Sequence, residues 1–147
     1  EFRRVLFRSD RFEFSLDAKG RVSVPAEWRG EAFEKRFLVM PSSDGCLRVY
    51  PASFLGRQME KLASEGATSS DLKRKSLEKL ASVIQAAEPD QQGRIMIREK
   101  FRQHAGLGRE AVLIGCLDHF QVWDPKRWQK IAPPTTTFEQ VAKDAGL

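Results

Sequence analysis

The chain contains one long internal repeat. Sliding the 147-residue sequence by 73 positions lays residues 14–54 on residues 87–127 without a gap. Asp17, Gly20 and Arg21 then meet Asp90, Gly93 and Arg94, while Arg29, Val39 and Val49 meet Arg102, Val112 and Val122. Around these identities the character is kept. Val22 falls on Ile95, Val24 on Ile97, Trp28 on Phe101, Leu47 on Phe120 and Tyr50 on Trp123. A constant offset through turns as well as strands marks two copies of one supersecondary unit.

Each copy has a legible pattern. Phe12, Phe14 and Leu16 alternate with polar residues, as a half-buried strand does. The turn Asp17-Ala18-Lys19-Gly20 follows, with Asp able to accept backbone N–H groups and Gly free to take positive φ. Arg21 to Val24 alternates again, and Pro25 stops the run. Residues 26–33 predict a short helix carrying Trp28, residues 37–40 a third strand, 42–45 a turn and 46–50 a fourth strand. In the second copy the strands are expected at 83–87, 94–97, 111–115 and 120–123, with a turn at 90–93 and a helix at 99–105.

Four short strands and one helix make a poor core alone. Two copies in one chain can interleave their hairpins into a single barrel, which also closes sheet edges. The expected fold is therefore mainly β with short helices, of the α+β class. Its repeated units lie at 11–54 and 81–124, with a helical linker at 55–80 and a C-terminal helix and tail at 125–147. In the linker, Phe54, Met59 and Leu62 form one stripe, broken at Gly66. Ser70-Asp71 caps a second helix whose Leu72, Leu77 and Leu80 are expected to face inward. Lys73, Arg74, Lys75 and Lys79 then form either a solvated face or a nucleic-acid patch. After Trp128 the Pro133-Pro134 tail reads as extended, and 138–145 as a short helix.

Charge needs one correction before it is used. The chain holds 25 Lys and Arg against 20 Asp and Glu, a net of +5. Residues 1–9, EFRRVLFRS, match in every codon one frame of a common sequencing adapter, so they are taken as an assembly artefact outside the fold. No Met precedes Asp10, and the native start is expected to be missing. Arg3, Arg4, Arg8 and Glu1 carry +2 with them and leave +3, too mild a charge to establish nucleic-acid binding.

Other classes are excluded on chemistry. No apolar run approaches the ~18 residues that cross a bilayer, and none has the form of a signal peptide, so the cytoplasm is the expected location. Cys46 and Cys116 lie far apart in strand-like contexts and read as small packing residues. With His104 and His119 alone, they assemble no zinc cluster, and no metal or cofactor is expected. His104 is expected to pack or cap near the Gly106 turn. No Ser/His/Asp or Cys/His grouping and no glycine-rich phosphate loop is present, which argues against an enzyme and a small-molecule substrate.

The paired motif Asp17-Ala-Lys-Gly-Arg21 and Asp90-Gln-Gln-Gly-Arg94 is where a resemblance begins. LDAKGRVSVPAEWR resembles the first half of the MraZ family of bacterial transcription regulators, and GRIMIREKFRQHAGLGREAVLIGCLDHFQVWD its second half. The likeness covers residues 11–130, but the family's Met-Phe start is replaced here by the adapter-like segment. It implies tandem AbrB-like swapped-hairpin domains folded as an intramolecular pseudo-dimer. It also implies ring-shaped homo-oligomers on the nucleoid that bind repeated DNA elements upstream of the division and cell-wall gene cluster and repress it.

For such a protein, Arg21 is the candidate for bidentate contact with guanine, on a ribbon of the width the major groove admits. Lys19 is the candidate phosphate contact, and Arg94 a second one whose turn has lost a cation to Gln91 and Gln92. Asp17, Gly20, Asp90 and Gly93 shape the turns. Two rivals stand beside this reading: an AbrB-like antitoxin whose main partner is a toxin protein, and a purely structural oligomer. A short tail and two domains count against the first, and a preference for repeated operator DNA over scrambled DNA would exclude the second.

Overall fold

A computed structural model describes residues 7–29, 35–65, 67–131 and 138–147. Among these residues the first copy forms β1 (Arg11–Ser15), β2 (Arg21–Ser23), a 3₁₀ turn (Ala26–Trp28), β3 (Phe37–Pro41) and β4 (Leu47–Pro51). Helices α1 (Ser53–Ala63) and α2 (Ala67–Ala81) link it to the second copy. That copy holds β5 (Gln85–Ala87), β6 (Arg94–Met96), α3 (Glu99–Ala105), β7 (Glu110–Gly115) and β8 (Phe120–Trp123), and α4 (Pro125–Ile131) and α5 (Phe138–Asp144) follow. The fold is mainly β with short helices.

The strands pair across the copies. One sheet runs β1-β7-β8-β4-β3-β5, and β2 pairs only with β6. Exchanging each strand for its repeat partner reverses that order and leaves it unchanged, so a pseudo-two-fold passes between β8 and β4 and between β2 and β6. Each copy thus lends its first strand to the other copy's third: β1 to β7 and β5 to β3. The inward residues make one continuous core. Val22, Val24 and Trp28 pack with their repeat mates Ile95, Ile97 and Phe101, and Leu47 and Val49 with Phe120 and Val122. Each such side chain buried contributes about 1.5–3 kcal/mol, so the shared core stabilises each half well beyond what its four short strands could bury alone. Trp28 lies at the centre, edge-on to Phe12 and stacked on Phe120.

The gapless offset does not survive into space. Phe14 pairs with Ala111 and Phe12 with Leu113, while Ala87 pairs with Phe37 and Gln85 with Val39. Hence Phe37 corresponds to Ala111 and Val39 to Leu113, a step of 74 rather than 73. The extra residue enters between Arg102 and Ala111 and is lost again at the hairpin. There Ser42 bonds Cys46 across a five-residue turn, whereas Cys116 bonds His119 across four. A slip of one residue turns a strand over. Val39 therefore lies in the main core, while its sequence match Val112 faces the opposite side beside Cys46 and Trp123.

Further expectations change. Leu72 does not face inward but is 71% exposed, and no residue of α1 is buried; α1 and α2 pack mainly on each other. The helix expected over 26–33 is a single 3₁₀ turn at Ala26–Trp28, with 30–34 outside the described residues. Helix α4 covers Pro125–Ile131, ahead of the short helix expected at 138–145, while Gly66 and the Pro133-Pro134 tail also lie outside the described residues. Arg127 of α4 donates to the carbonyls of Gly45 and His104, and His104 Nε2 donates to Ser42 O at 2.7 Å, clamping the β3–β4 turn to the end of α3. Part of the adapter-like segment also takes part in the fold. Arg8 is buried, exchanges two backbone hydrogen bonds with Leu117, and donates to Trp28 O.

Candidate nucleic-acid interface

The two Asp-x-x-Gly-Arg turns have the same construction. Asp17 Oδ1 accepts the N–H groups of Lys19 and Arg21, each at 2.9 Å, and its Oδ2 accepts Arg21 Nε at 2.6 Å. Asp90 does the same for Gln92 and Arg94, with Oδ2 taking Arg94 Nε at 3.0 Å. A carboxylate that accepts this many N–H groups resists protonation. The Arg21 backbone N–H, aided by its side chain and the Lys19 N–H, holds the Asp17 carboxyl at about 2 against an ordinary 3.8. The Arg94 N–H and then the Gln92 N–H lower Asp90 in the same way. Burial works against both shifts but does not overcome them.

Each turn needs its glycine for two reasons. Gly20 has φ +82° and Gly93 φ +78°, in the region that side chains disfavour. Beneath each lies an arginine of the other copy. A Cβ on Gly20 would stand 2.5 Å from Arg102 Nη1, and one on Gly93 would run into the Arg29 guanidinium. Arg29 is itself fixed, donating Nε to Val24 O at 2.8 Å. Arg29 and Arg102 are residues the sequence reading left without a role. Their identity at the repeat offset was the available signal.

The turns converge on one surface. β2 and β6 form an antiparallel ribbon with Arg21 opposite Met96, Val22 opposite Ile95 and Ser23 opposite Arg94. Val22 and Ile95 point inward and are wholly buried, so the alternate residues point out. Arg94 Nη1 reaches Asp17 Oδ2 at 3.6 Å, tying the second turn to the first. Lys19, Gln91 and Gln92 are exposed at the turn tips. The seven predicted site residues, Asp17, Lys19, Gly20, Arg21, Asp90, Gly93 and Arg94, thus form one cluster. The turns fold back on arginines of the opposite copy, and the ribbon is made between copies, not within one.

Fold and site together define a tandem swapped-hairpin protein, two homologous halves sharing one core and presenting paired Asp-x-x-Gly-Arg turns on a common ribbon. The MraZ family, described as "MraZ protein, putative antitoxin-like", matches residues 7–76 and 83–145. A protein named transcriptional regulator MraZ from Pediococcus pentosaceus is 34% identical over 134 residues, covering 90% of this chain and 92% of its own length. One of the same name from Lactiplantibacillus plantarum is 35% identical over 140 residues, with 90% and 94% covered. A third, from Mycobacterium ulcerans, is 36% identical over 115 residues, with 78% and 79% covered. The chain belongs to the MraZ family.

Proposed function

We propose that this chain is a sequence-specific regulator of transcription that lays the β2–β6 ribbon and its two turns on double-stranded DNA. The observation that carries the reading is the convergence of the two turns, sealed by Arg94 reaching Asp17 at 3.6 Å. A two-stranded ribbon is one of the elements the major groove admits. Asp17 takes the inner Nε of Arg21, which orients the terminal Nη pair for bidentate contact with guanine O6 and N7. Lys19, exposed at the tip, neutralises phosphate. Arg94 is drawn to two carboxylates and is the weaker DNA contact of the pair. The names of the relatives support the regulatory role.

A ribbon of three-residue strands is small beside the ~1,000 Å² or more of protein surface that specific DNA complexes bury. Several copies in a homo-oligomeric ring, engaging repeated elements, raise binding through effective concentration. On this reading the protein works on the nucleoid, in the cytoplasm, and represses the division and cell-wall genes. Among the described residues no helix is long and apolar enough to cross a membrane.

A gel shift with promoter DNA tests the assignment. Arg21→Ala is expected to lose about 1–3 kcal/mol of specific binding with its oligomeric mass unchanged. Equal affinity of variant and parent would remove Arg21 from the interface. For Lys19→Ala, affinity measured from low to moderate salt is expected to show a slope of log K against log salt lower by about one phosphate's worth. An unchanged slope would place Lys19 away from the backbone. Co-purification of a stoichiometric small toxin would favour the antitoxin reading instead.

A further inference from the structure

The outward face of the ribbon carries four side chains, Arg21 and Ser23 from β2 and Arg94 and Met96 from β6. Val24 N–H donates to Gly93 O, and Ile97 N–H to Gly20 O. The Arg21–Met96 and Ser23–Arg94 pairs therefore fall between bonds, where facing side chains stand closest. The pseudo-two-fold exchanges Arg21 with Arg94 and Ser23 with Met96. The arginines keep the symmetry; the other pair breaks it.

Met96 is 50% exposed, the one large apolar side chain on this face among the described residues. The strand does not demand it, since serine fills the same place in the first copy. Its backbone is also held in position. Gln85, which is buried, donates Nε2 to Met96 O at 2.7 Å and accepts the Arg98 N–H at 3.0 Å. The first copy has Phe12 where the second has Gln85, so only β6 is pinned in this way.

We propose that Met96 is a specificity-determining residue of the ribbon, placing its thioether-methyl end against the C5-methyl group of a thymine in a DNA element whose two ends differ. The inference rests on the DNA-binding reading above. Among the base edges of the major groove, the thymine methyl is the apolar feature, and the acceptors beside it suit the arginines, which only donate. Methionine is unbranched and adapts to such a contact. At the other end of the ribbon the Ser23 hydroxyl can bond to any base, so only the Met96 end favours thymine.

The probe is a duplex that the parent protein selects from a randomised pool, resynthesised with deoxyuridine replacing one thymine at a time. Deoxyuridine removes the methyl and keeps every hydrogen-bonding group. At one thymine the change is expected to weaken parent binding about fourfold, the effect of one buried methyl group. Met96→Ala is expected to bind the thymine duplex about fourfold more weakly and to be blind to that replacement, while Met96→Leu keeps the sensitivity. If Met96→Ala retains the parent's sensitivity at every thymine, or the parent shows none, the role of Met96 is refuted and the DNA-binding reading stands. If the parent selects no duplex over scrambled DNA, the regulatory reading itself falls, and this inference with it.

Discussion

The glycine under each turn makes a quantitative test of the interlocked copies. Replacing Gly93 with alanine puts a side chain at φ +78°, which costs about 1–2 kcal/mol in backbone energy. The new Cβ would also displace the Arg29 guanidinium. Arg29 would then lose its bond to Val24 O, a further ~1 kcal/mol. The sum for Gly93→Ala is about 2–3 kcal/mol. Gly20→Ala meets the same backbone term at φ +82°, but the arginine beneath it, Arg102, has no hydrogen-bond partner at Nε among the described residues and loses little by moving. Gly20→Ala should therefore cost only about 1–2 kcal/mol. Urea unfolding followed by circular dichroism gives both values; at about 2–4 °C per kcal/mol, Gly93→Ala should lower Tm by about 4–12 °C. In an Arg29→Ala background, the Gly93→Ala penalty should shrink to the backbone term. An undiminished penalty there, or Gly20→Ala proving the costlier change, would refute the reasoning.

Acid should weaken the first turn in a defined window. The folded Asp17 pKa of about 2 lies below its ordinary 3.8, so the carboxylate favours the fold at higher pH, and that contribution fades as pH falls from about 4 to about 2. Urea titrations at pH 5, 3.5 and 2.5 should show a larger loss in the parent than in Asp17→Asn, in which only the lowered Asp90 remains; parallel curves would contradict it. Burial pushes the Cys46 thiol up to about 11, which leaves little thiolate at pH 8. Iodoacetamide should therefore label Cys46 about a hundredfold more slowly in the folded protein than in urea, read by peptide mass spectrometry. Equal rates would show that Cys46 is not held in the core.

Much of this architecture is legible in the amino-acid sequence. The repeat was visible because the turns carry chemistry that tolerates few substitutes: Asp to gather N–H groups, Gly for positive φ. The bounds of α3, Glu99–Ala105, and of β8, Phe120–Trp123, match the reading because each is bracketed by local signals, Gly106 in the left-handed region after one and Asp124 after the other. The slip of β3 against β7 was not legible. Phe37, Leu38, Val39 and Met40 are all buried, so the strand has no alternation to show which face is inside. Leu72 was misplaced because a leucine at helical spacing says that a face is apolar, not that something covers it.

The amino-acid sequence by itself determined the local turns, the repeated unit and the residues of the candidate site, since each depends on neighbours a few positions away. The tertiary structure alone decided that β2 pairs with β6, that Arg29 and Arg102 lie under each other's glycines, and that Met96 stands opposite Arg21. Those relations join residues about 70 apart, and they exist only once burial of a shared core has chosen one register among many.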